Sequence, residues 1–170
     1  MRVIGLAGWS GAGKTTLLAR LIPELVGRGL RVSTVKHAHH EFDVDTPGKD
    51  SWTHRQAGAS EVLVASARRW ALMHELRDEA EPGLAALLIR LGPADIVLVE
   101  GFKRAALPRI EVHRAANARP ALHPDDPGIV AVAADVPFPK ARVPVVPLDD
   151  VAAIARIVLD RAVPLRDLTG

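Results

Sequence analysis

Residues 8–16 read GWSGAGKTT, directly after the short apolar run RVIGLA at residues 2–7. The apolar run is typical of a buried strand. Beyond the glycines, apolar side chains recur at helical spacing, at Leu17, Leu18, Leu21, Ile22, Leu25 and Val26. A glycine-rich turn therefore connects a predicted strand to a predicted helix, and this connection decides the fold.

Gly8, Gly13, Lys14 and Thr15 satisfy the spacing G-x-x-x-x-G-K-[ST] of a phosphate-binding loop, or P-loop. Glycine permits backbone angles that turn successive N–H groups toward an anion at a helix N-terminus. We expect Lys14 to reach the β- and γ-phosphates and the Thr15 hydroxyl to bind magnesium. An ordinary strand–helix turn does not require a lysine in the first helical turn, where a cation interacts unfavourably with the helix dipole. The loop is predicted to bind phosphate.

The rest of the chain predicts an α/β fold. Arg28 and Gly29 end the first helix, and a strand at 31–36 completes a parallel crossover unit. Further strands are predicted at 61–65, 69–74, 95–101, 110–112, 129–133 and 143–146, and helices at 50–58, 83–91 and 149–162. We therefore expect a P-loop NTPase with a mostly parallel twisted sheet, helices on both faces and a protruding β-hairpin at 61–74, in one domain over 1–170.

Composition narrows the class of protein. The chain of 170 residues has a formal net charge of only +2 and no patterned stripe of lysine and arginine, so we expect no nucleic-acid partner. Cysteine is absent, which excludes disulfides and thiolate zinc sites and fits a reducing cytoplasm. No apolar run approaches the roughly 20 residues that span a bilayer, and no signal-peptide pattern is present. We expect a soluble cytoplasmic protein without a membrane partner.

Glu100 is the best candidate for a second magnesium ligand. It ends the run DIVLVEG, which reads as a central parallel strand buried on both faces. Open α/β sheets bind ligands at the carboxyl ends of their strands, and P-loop proteins place a metal-binding carboxylate there. Asp95 begins the same strand and should lie at the opposite edge. Gly101 lets the backbone approach a neighbouring group closely.

The long polar loop at 37–50 carries a histidine cluster, His37, His39 and His40. Three histidines could bind zinc, but no carboxylate or thiolate spacing of a familiar site accompanies them. The alternatives are that they line the nucleotide crevice or form hydrogen bonds within the loop. Asp45 and Asp50 are better candidates for contact with magnesium, directly or through water.

Several segments together resemble one protein family. They are GWSGAGKTT, VKHAHHEFDVDTPGKDSWTHRQAGA, RWALM, DIVLVEGFK and PRIEVHR, and they resemble the molybdopterin-guanine dinucleotide biosynthesis B proteins from about residue 2 to residue 114. The resemblance implies a P-loop protein of molybdenum cofactor biosynthesis that binds GTP and Mg²⁺ and hydrolyses GTP slowly. It also implies a homodimer whose hairpins pair across the subunits, and a partner, the molybdenum cofactor guanylyltransferase. Molybdopterin itself is a candidate ligand.

The P-loop motif and the resemblance together indicate the site residues. The nucleotide-binding set is Gly8, Ser10, Gly11, Ala12, Gly13, Lys14, Thr15, Thr16, Lys49, Gly101 and Lys103, and the metal set is Thr15, Asp45 and Glu100. Asp50 and Arg55 fall in the same family motifs. The sequence lacks the N-K-x-D motif by which GTPases read guanine, so the preference for guanine rests on the resemblance. The alternative is a P-loop small-molecule kinase, with Arg114 and Arg119 in a lid.

Overall fold

The computed structural model describes residues 1–38 and 42–168. The chain forms two compact units, a larger one of Met1–His37 with Gly83–Gly170 and a smaller one of Ala38–Pro82. None of the helices in the described ranges is long and apolar enough to cross a membrane.

Every predicted strand and helix is present, with ends shifted by no more than two residues. The strands are β1 (Arg2–Ala7), β2 (Val32–Lys36), β3 (Glu61–Ala65), β4 (Trp70–His74), β5 (Ile96–Glu100), β6 (Arg109–His113), β7 (Ile129–Ala134), β8 (Val145–Pro147) and β9 (Val163–Pro164). The helices are α1 (Lys14–Gly27), α2 (Asp50–Gln56), α3 (Leu84–Ile89) and α4 (Val151–Arg161). The sequence does not predict β9, because a strand of two residues is too short to show a period.

The larger unit is built on one twisted sheet with strand order β2-β5-β1-β6-β7-β8. All neighbours along this path are parallel. The short strand β9 pairs antiparallel with the first residues of β1, at Arg2 and Val3. Because β5 and β6 flank β1, the chain after β1 has neighbours on both sides at the carboxyl edge of the sheet, where α/β proteins bind ligands.

Helices cover both faces of this sheet, as predicted. On one face, Ile4 of β1 and Leu98 of β5 pack in a buried cluster with α1 and α4, represented by Leu21 and Ile154. On the other face, Val3, Val97 and Val99 pack with Leu84 and Leu88 of α3. The near-continuous burial of β1 and β5 explains why both strands read as apolar runs rather than as alternating patterns.

The smaller unit contains α2 and the predicted hairpin. Strands β3 and β4 pair antiparallel, with Leu63 opposite Leu72 and Ala65 opposite Trp70. These four side chains share one face of the hairpin because successive residues alternate between faces. Leu63, Trp70 and Leu72 are 61%, 68% and 45% exposed, so the hairpin presents an apolar face.

Candidate functional site

The predicted phosphate-binding loop lies between β1 and α1, and its glycines have the backbone that the motif requires. Gly8, Gly11 and Gly13 have φ of +142°, +79° and +95°, in the region where side-chain-bearing residues are strained. A Cβ on Gly8 would lie 2.5 Å from the carbonyl oxygen of Val112. Helix α1 begins immediately after Gly13, so its first N–H groups, which have no partner within the helix, lie at the loop. This geometry suits an anion.

Lys14 extends back across the loop. Its ammonium group donates hydrogen bonds of 2.8 Å and 3.1 Å to the carbonyl oxygens of Gly8 and Trp9. Burial lowers the pKa of Lys14 below its ordinary value; Glu100 raises it, and the nearby Lys103 and Lys36 lower it further. The fold therefore gathers Lys14, Glu100 and Lys103 into one electrostatic environment.

Glu100 lies at the carboxyl end of β5, beside Leu6 of β1 and Lys36 of β2. Gly101 follows it with φ of +90°, and a Cβ at this position would lie 2.6 Å from the Cβ of His37. The His37 ring also packs on Phe102 at 4.8 Å. The close approach predicted at Gly101 is therefore to His37, while His39 and His40 lie outside the described residues.

Magnesium needs few ligands from the protein. Among the described residues, no group of three or more histidine, cysteine, aspartate or glutamate side chains could hold a metal ion. Mg²⁺ usually takes only one or two carboxylates and completes its shell with phosphate oxygens and water. A hydroxyl at Thr15, in the first turn of α1, and a carboxylate at Glu100 are oxygen ligands of the type that Mg²⁺ prefers. The donor set in the larger unit fits this ion.

Arg109 fixes the segment that carries Lys103. The Arg109 side chain is buried, and its guanidinium donates to the carbonyl oxygen of Lys103 at 2.9 Å and to Asp126 at 3.0 Å. The first charged residue of RIEVH is therefore a positioning residue for the EGFK segment. Both segments belong to the family motifs, but their sequences do not indicate this connection.

The segment after β6 forms a wall beside the phosphate-binding loop. Asn117 donates to the carbonyl oxygen of Ser10 at 3.0 Å, and the Trp9 indole donates to that of Pro120 at 2.9 Å. The Arg114 guanidinium lies against Gly13, with Nε 2.9 Å from where a Cβ would be. No sequence pattern indicates a role for Asn117, and Arg114 is predicted from sequence only as part of a kinase lid. The pairing of β6 with β1 brings Asn117 and Arg114 to the loop.

Asp45, predicted to lie near magnesium, belongs to the smaller unit and is held there by its neighbours. One carboxylate oxygen accepts from the Ser51 hydroxyl and the Thr46 amide, both at 2.9 Å. The other accepts from Arg55 at 3.3 Å. Arg55 also pairs with Asp43 at 2.8 Å and with Glu75 at 2.7 Å.

These contacts set the charge states of the network. Burial acts to raise the pKa of Asp45, but the hydrogen bonds from Ser51, Thr46 and Arg55 outweigh it and leave the pKa below its usual value. The Arg55 guanidinium is the main cause of the lowered pKa of Asp43. Both carboxylates are thus ionised at neutral pH and already have protein donors.

The other predicted residues of the smaller unit lie at the start of α2. Lys49 and Asp50 are exposed. The Lys49 carbonyl accepts from the Thr53 amide at 2.9 Å and from its hydroxyl at 3.1 Å. The structure thus gathers the loop, Glu100, Gly101 and Lys103 in the larger unit, whereas Asp45 and Lys49 belong to the smaller one. Contact of Asp45 and Lys49 with ligand stays a prediction.

Comparison with known proteins identifies the family. Residues 3–135 match the family described as molybdopterin guanine dinucleotide synthesis protein B, or MobB. The chain belongs to the MobB family. It is 45% identical, over 93% of its length and 91% of the relative's, to the molybdopterin-guanine dinucleotide biosynthesis adapter protein of Escherichia coli strain K12. The protein of the same name from Haemophilus influenzae is 44% identical over 80% of this chain and 76% of that one.

Solved MobB structures share the fold. A crystal structure of molybdopterin-guanine biosynthesis protein B superimposes with a TM-score of 0.69 at 28% identity, covering 93% of this chain and 98% of that one. Bacillus subtilis MobB gives a TM-score of 0.73 at 23% identity, covering 95% and 98%. Both the predicted α/β fold class and the predicted family are confirmed.

Proposed function

We propose that this MobB-family chain is a GTP-binding adapter protein in the synthesis of molybdopterin guanine dinucleotide. It acts in the cytoplasm beside a molybdenum cofactor guanylyltransferase, which joins GMP to molybdopterin. The observation that carries the proposal is the phosphate-binding loop, in which left-handed glycines lead directly into Lys14 and α1. The names of the curated relatives, which describe adapter proteins of this synthesis, support the biological role.

Several groups in and near the loop take part in holding GTP. The loop N–H groups and the start of α1 receive the phosphates, and Lys14 exchanges its two carbonyl partners for β- and γ-phosphate oxygens. Thr15 and Glu100 would hold Mg²⁺, which would neutralise phosphate charge. Lys103 lies close enough to Lys14 to affect its pKa and adds positive charge to the same site.

Hydrolysis by the protein alone is expected to be slow. Fast GTPases orient the attacking water with a glutamine and stabilise the transition state with an arginine. The chain has one glutamine, Gln56, at the end of α2. The nearby Arg55 has all three of its guanidinium nitrogens paired with carboxylates, and these ion pairs compete with any contact to a γ-phosphate. This arrangement suits an adapter whose output depends on its partner.

The contacts of the segment after β6 favour the adapter over a small-molecule kinase. A kinase closes a mobile lid over the phosphoryl group. Here the segment that carries Arg114 and Arg119 is tied to the phosphate-binding loop through Asn117 and Trp9. Arg119 also stacks over the Trp9 ring at 5.6 Å. These contacts anchor the segment to the site rather than leaving it free to open and close.

The test is a calorimetric titration of the purified chain with GTP, GDP and ATP, with and without Mg²⁺. We expect GTP to bind in a metal-dependent manner and Lys14→Ala to abolish that binding without lowering the thermal midpoint. Arg156→Ala, which removes one exposed charge from α4, is the control and should bind normally. Undiminished affinity in the folded Lys14→Ala variant would remove the phosphate-binding proposal.

Phosphate release at saturating GTP and Mg²⁺ tests the adapter role. Turnover should lie near the intrinsic Ras-like scale of about 10⁻⁴ to 10⁻³ per second. Turnover above about ten per second, the median of ordinary enzymes, would make the protein a self-sufficient enzyme and contradict the adapter role.

A further inference from the structure

A cavity of about 430 Å³ opens where β7 and β8 end, lined by residues 134–139 and 145–147. Its volume lies within the range of about 300 to 1,000 Å³ that is usual for small-molecule sites. The lining is mostly alanine, valine, proline and phenylalanine. Asp135 is the one charged residue among the described residues that line it. An apolar cleft with a single polar anchor suits a flat heterocycle.

The cavity lies on the same edge of the sheet as the phosphate-binding loop. The loop follows β1 and Asp135 follows β7, and in a parallel sheet the carboxyl ends of the strands share one edge. Only β6 separates β1 from β7, so two strand spacings, about 10 Å, lie between the two strand ends. The ribose and base of a nucleotide span such a distance when its phosphates lie in the loop.

The segment after β6 connects the two places directly. The Val112 carbonyl lies against Gly8 at the beginning of the loop. Three residues later, the Ala115 amide donates to Oδ1 of Asp135 at 2.9 Å. Asp135 is exposed, and within the part of the chain that the structure describes its Oδ2 accepts no hydrogen bond. One carboxylate oxygen is thus fixed and the other is available to a ligand.

Aromatic contacts hold Phe138, which lines the cavity, in place. Phe138 makes edge-to-face contacts with His113 at 4.9 Å and with His123 at 5.1 Å. His123 is in turn bonded to the buried Glu111 at 3.0 Å. A wall fixed by these rings can present its side chains to a base without rearranging first.

The chemistry of Asp135 selects among bases. Guanine presents two neighbouring donors on its pairing edge, N1–H and the 2-amino group, and an ionised carboxylate only accepts. Adenine presents an acceptor at N1, whose lone pair would face the carboxylate. We propose that this cavity receives the guanine base of the nucleotide and that Asp135 is the residue that selects it. The inference rests on the proposed binding of GTP at the loop.

The experiment compares GTP, ITP, XTP, ATP and inorganic tripolyphosphate, each titrated with Mg²⁺ into the full chain. The wild-type protein should prefer GTP to ATP, and it should bind ITP more weakly than GTP because ITP lacks the 2-amino group. Asp135→Asn should lower GTP affinity about 10- to 100-fold. It should also improve XTP binding, because the amide N–H can donate to the 2-carbonyl of xanthine. Tripolyphosphate affinity should not change.

Two further variants make the result specific. Asp160→Asn makes the same chemical change on α4, at a residue paired with Arg161, and should leave all five affinities as they are. Val136→Phe adds bulk to the cavity lining and should weaken GTP but not tripolyphosphate. The affinities of a variant are compared with those of the wild-type protein only if the two proteins have the same thermal midpoint.

The outcomes separate the two proposals. Wild-type protein that binds neither GTP nor tripolyphosphate would contradict the proposed function, and this inference with it. Wild-type protein that binds GTP but not in preference to ATP would overturn the role of Asp135 alone. So would an Asp135→Asn variant that keeps the full preference for GTP.

Discussion

At the scale of single residues, the candidate site depends on a few charges placed at the ends of adjacent strands. Lys14 follows β1, and Glu100 ends β5, the strand directly beside it. Arg114, just after β6 on the other side, lies against Gly13. A bound triphosphate would therefore meet positive charge from two directions and the carboxylate of Glu100 from a third.

The first prediction concerns Glu100. Glu100→Gln keeps the shape of the side chain and removes its charge, so Mg²⁺-dependent GTP affinity should fall about 10-fold or more while metal-free binding changes little. Titrations with and without Mg²⁺ measure both. An equal loss in the two conditions would indicate that Glu100 supports the fold instead of the ion.

The second prediction concerns Arg114. Guanidinium–phosphate hydrogen bonds are among the stronger ones, so Arg114→Ala should weaken GTP binding about 10-fold. Arg114→Lys keeps the charge and should recover part of the loss. Arg20→Ala, on the exposed surface of α1 and paired with Asp149, is the control. Equal GTP affinity in the Arg114→Ala and wild-type proteins would rule out contact with phosphate.

At the scale of elements, charged side chains determine how two segments are held. In β6, Glu111 is only 1% exposed and accepts hydrogen bonds from the Leu122 amide at 2.7 Å and the His123 amide at 2.9 Å. In the smaller unit, Arg55 joins Asp43 and Asp45 to α2. Both are structural uses of residues that fall in family motifs.

The third prediction is that Glu111→Ala destabilises the fold. It leaves the partly buried amides of Leu122 and His123 without their acceptor, and the loss of each such bond costs about 1 to 3 kcal/mol. We expect the free energy of unfolding in urea to fall by about 3 kcal/mol or more. Glu24→Ala, which breaks an exposed pair with Arg28, should cost at most about 1 kcal/mol. Similar losses in the two variants would contradict the role of Glu111.

The fourth prediction concerns acid. The pKa values of Asp43 and Asp45 are lower than the ordinary aspartate pKa, which is about 3.9. Their contribution to stability is therefore complete at pH values above the ordinary pKa. It is lost as the pH falls through the lowered values in the folded protein. Protection of the amides in residues 42–56, taken as the ratio of the intrinsic to the observed exchange rate at each pH, should therefore fall at low pH, and Arg55→Ala should weaken this dependence. An unchanged pH profile in Arg55→Ala would show that Arg55 does not set these pKa values.

At the scale of the whole molecule, the hairpin's apolar face is the surface that a second chain would cover. A two-stranded hairpin is marginal by itself, and large exposed apolar faces mark interaction sites. The fifth prediction is that two copies pair through this face, burying Trp70 and Leu72. Light scattering at micromolar concentration should then give about twice the chain mass of 18.2 kDa. Leu72→Asp should give the monomer, whereas Ile89→Ser, at an exposed site on α3, should not. A wild-type monomer would contradict the dimer.

Local sequence determined a large part of this protein. The strand and helix positions follow from apolar periodicity, and the phosphate-binding loop follows from glycines at fixed spacing, because both depend on neighbours within a few residues. Glu100 could be placed at the ligand-binding edge because a parallel strand ends there whatever its neighbours are.

Only the tertiary structure decided which distant segments meet. Asn117 contacts Ser10 across 107 positions, and Asp135 meets Ala115, because β6 lies between β1 and β7. Strand order is set by packing of the whole sheet, and no local pattern in β6 specifies its neighbours. The same holds for Asp45, whose carboxylate resembles a metal ligand in sequence. The fold surrounds it with donors from Ser51 and Arg55.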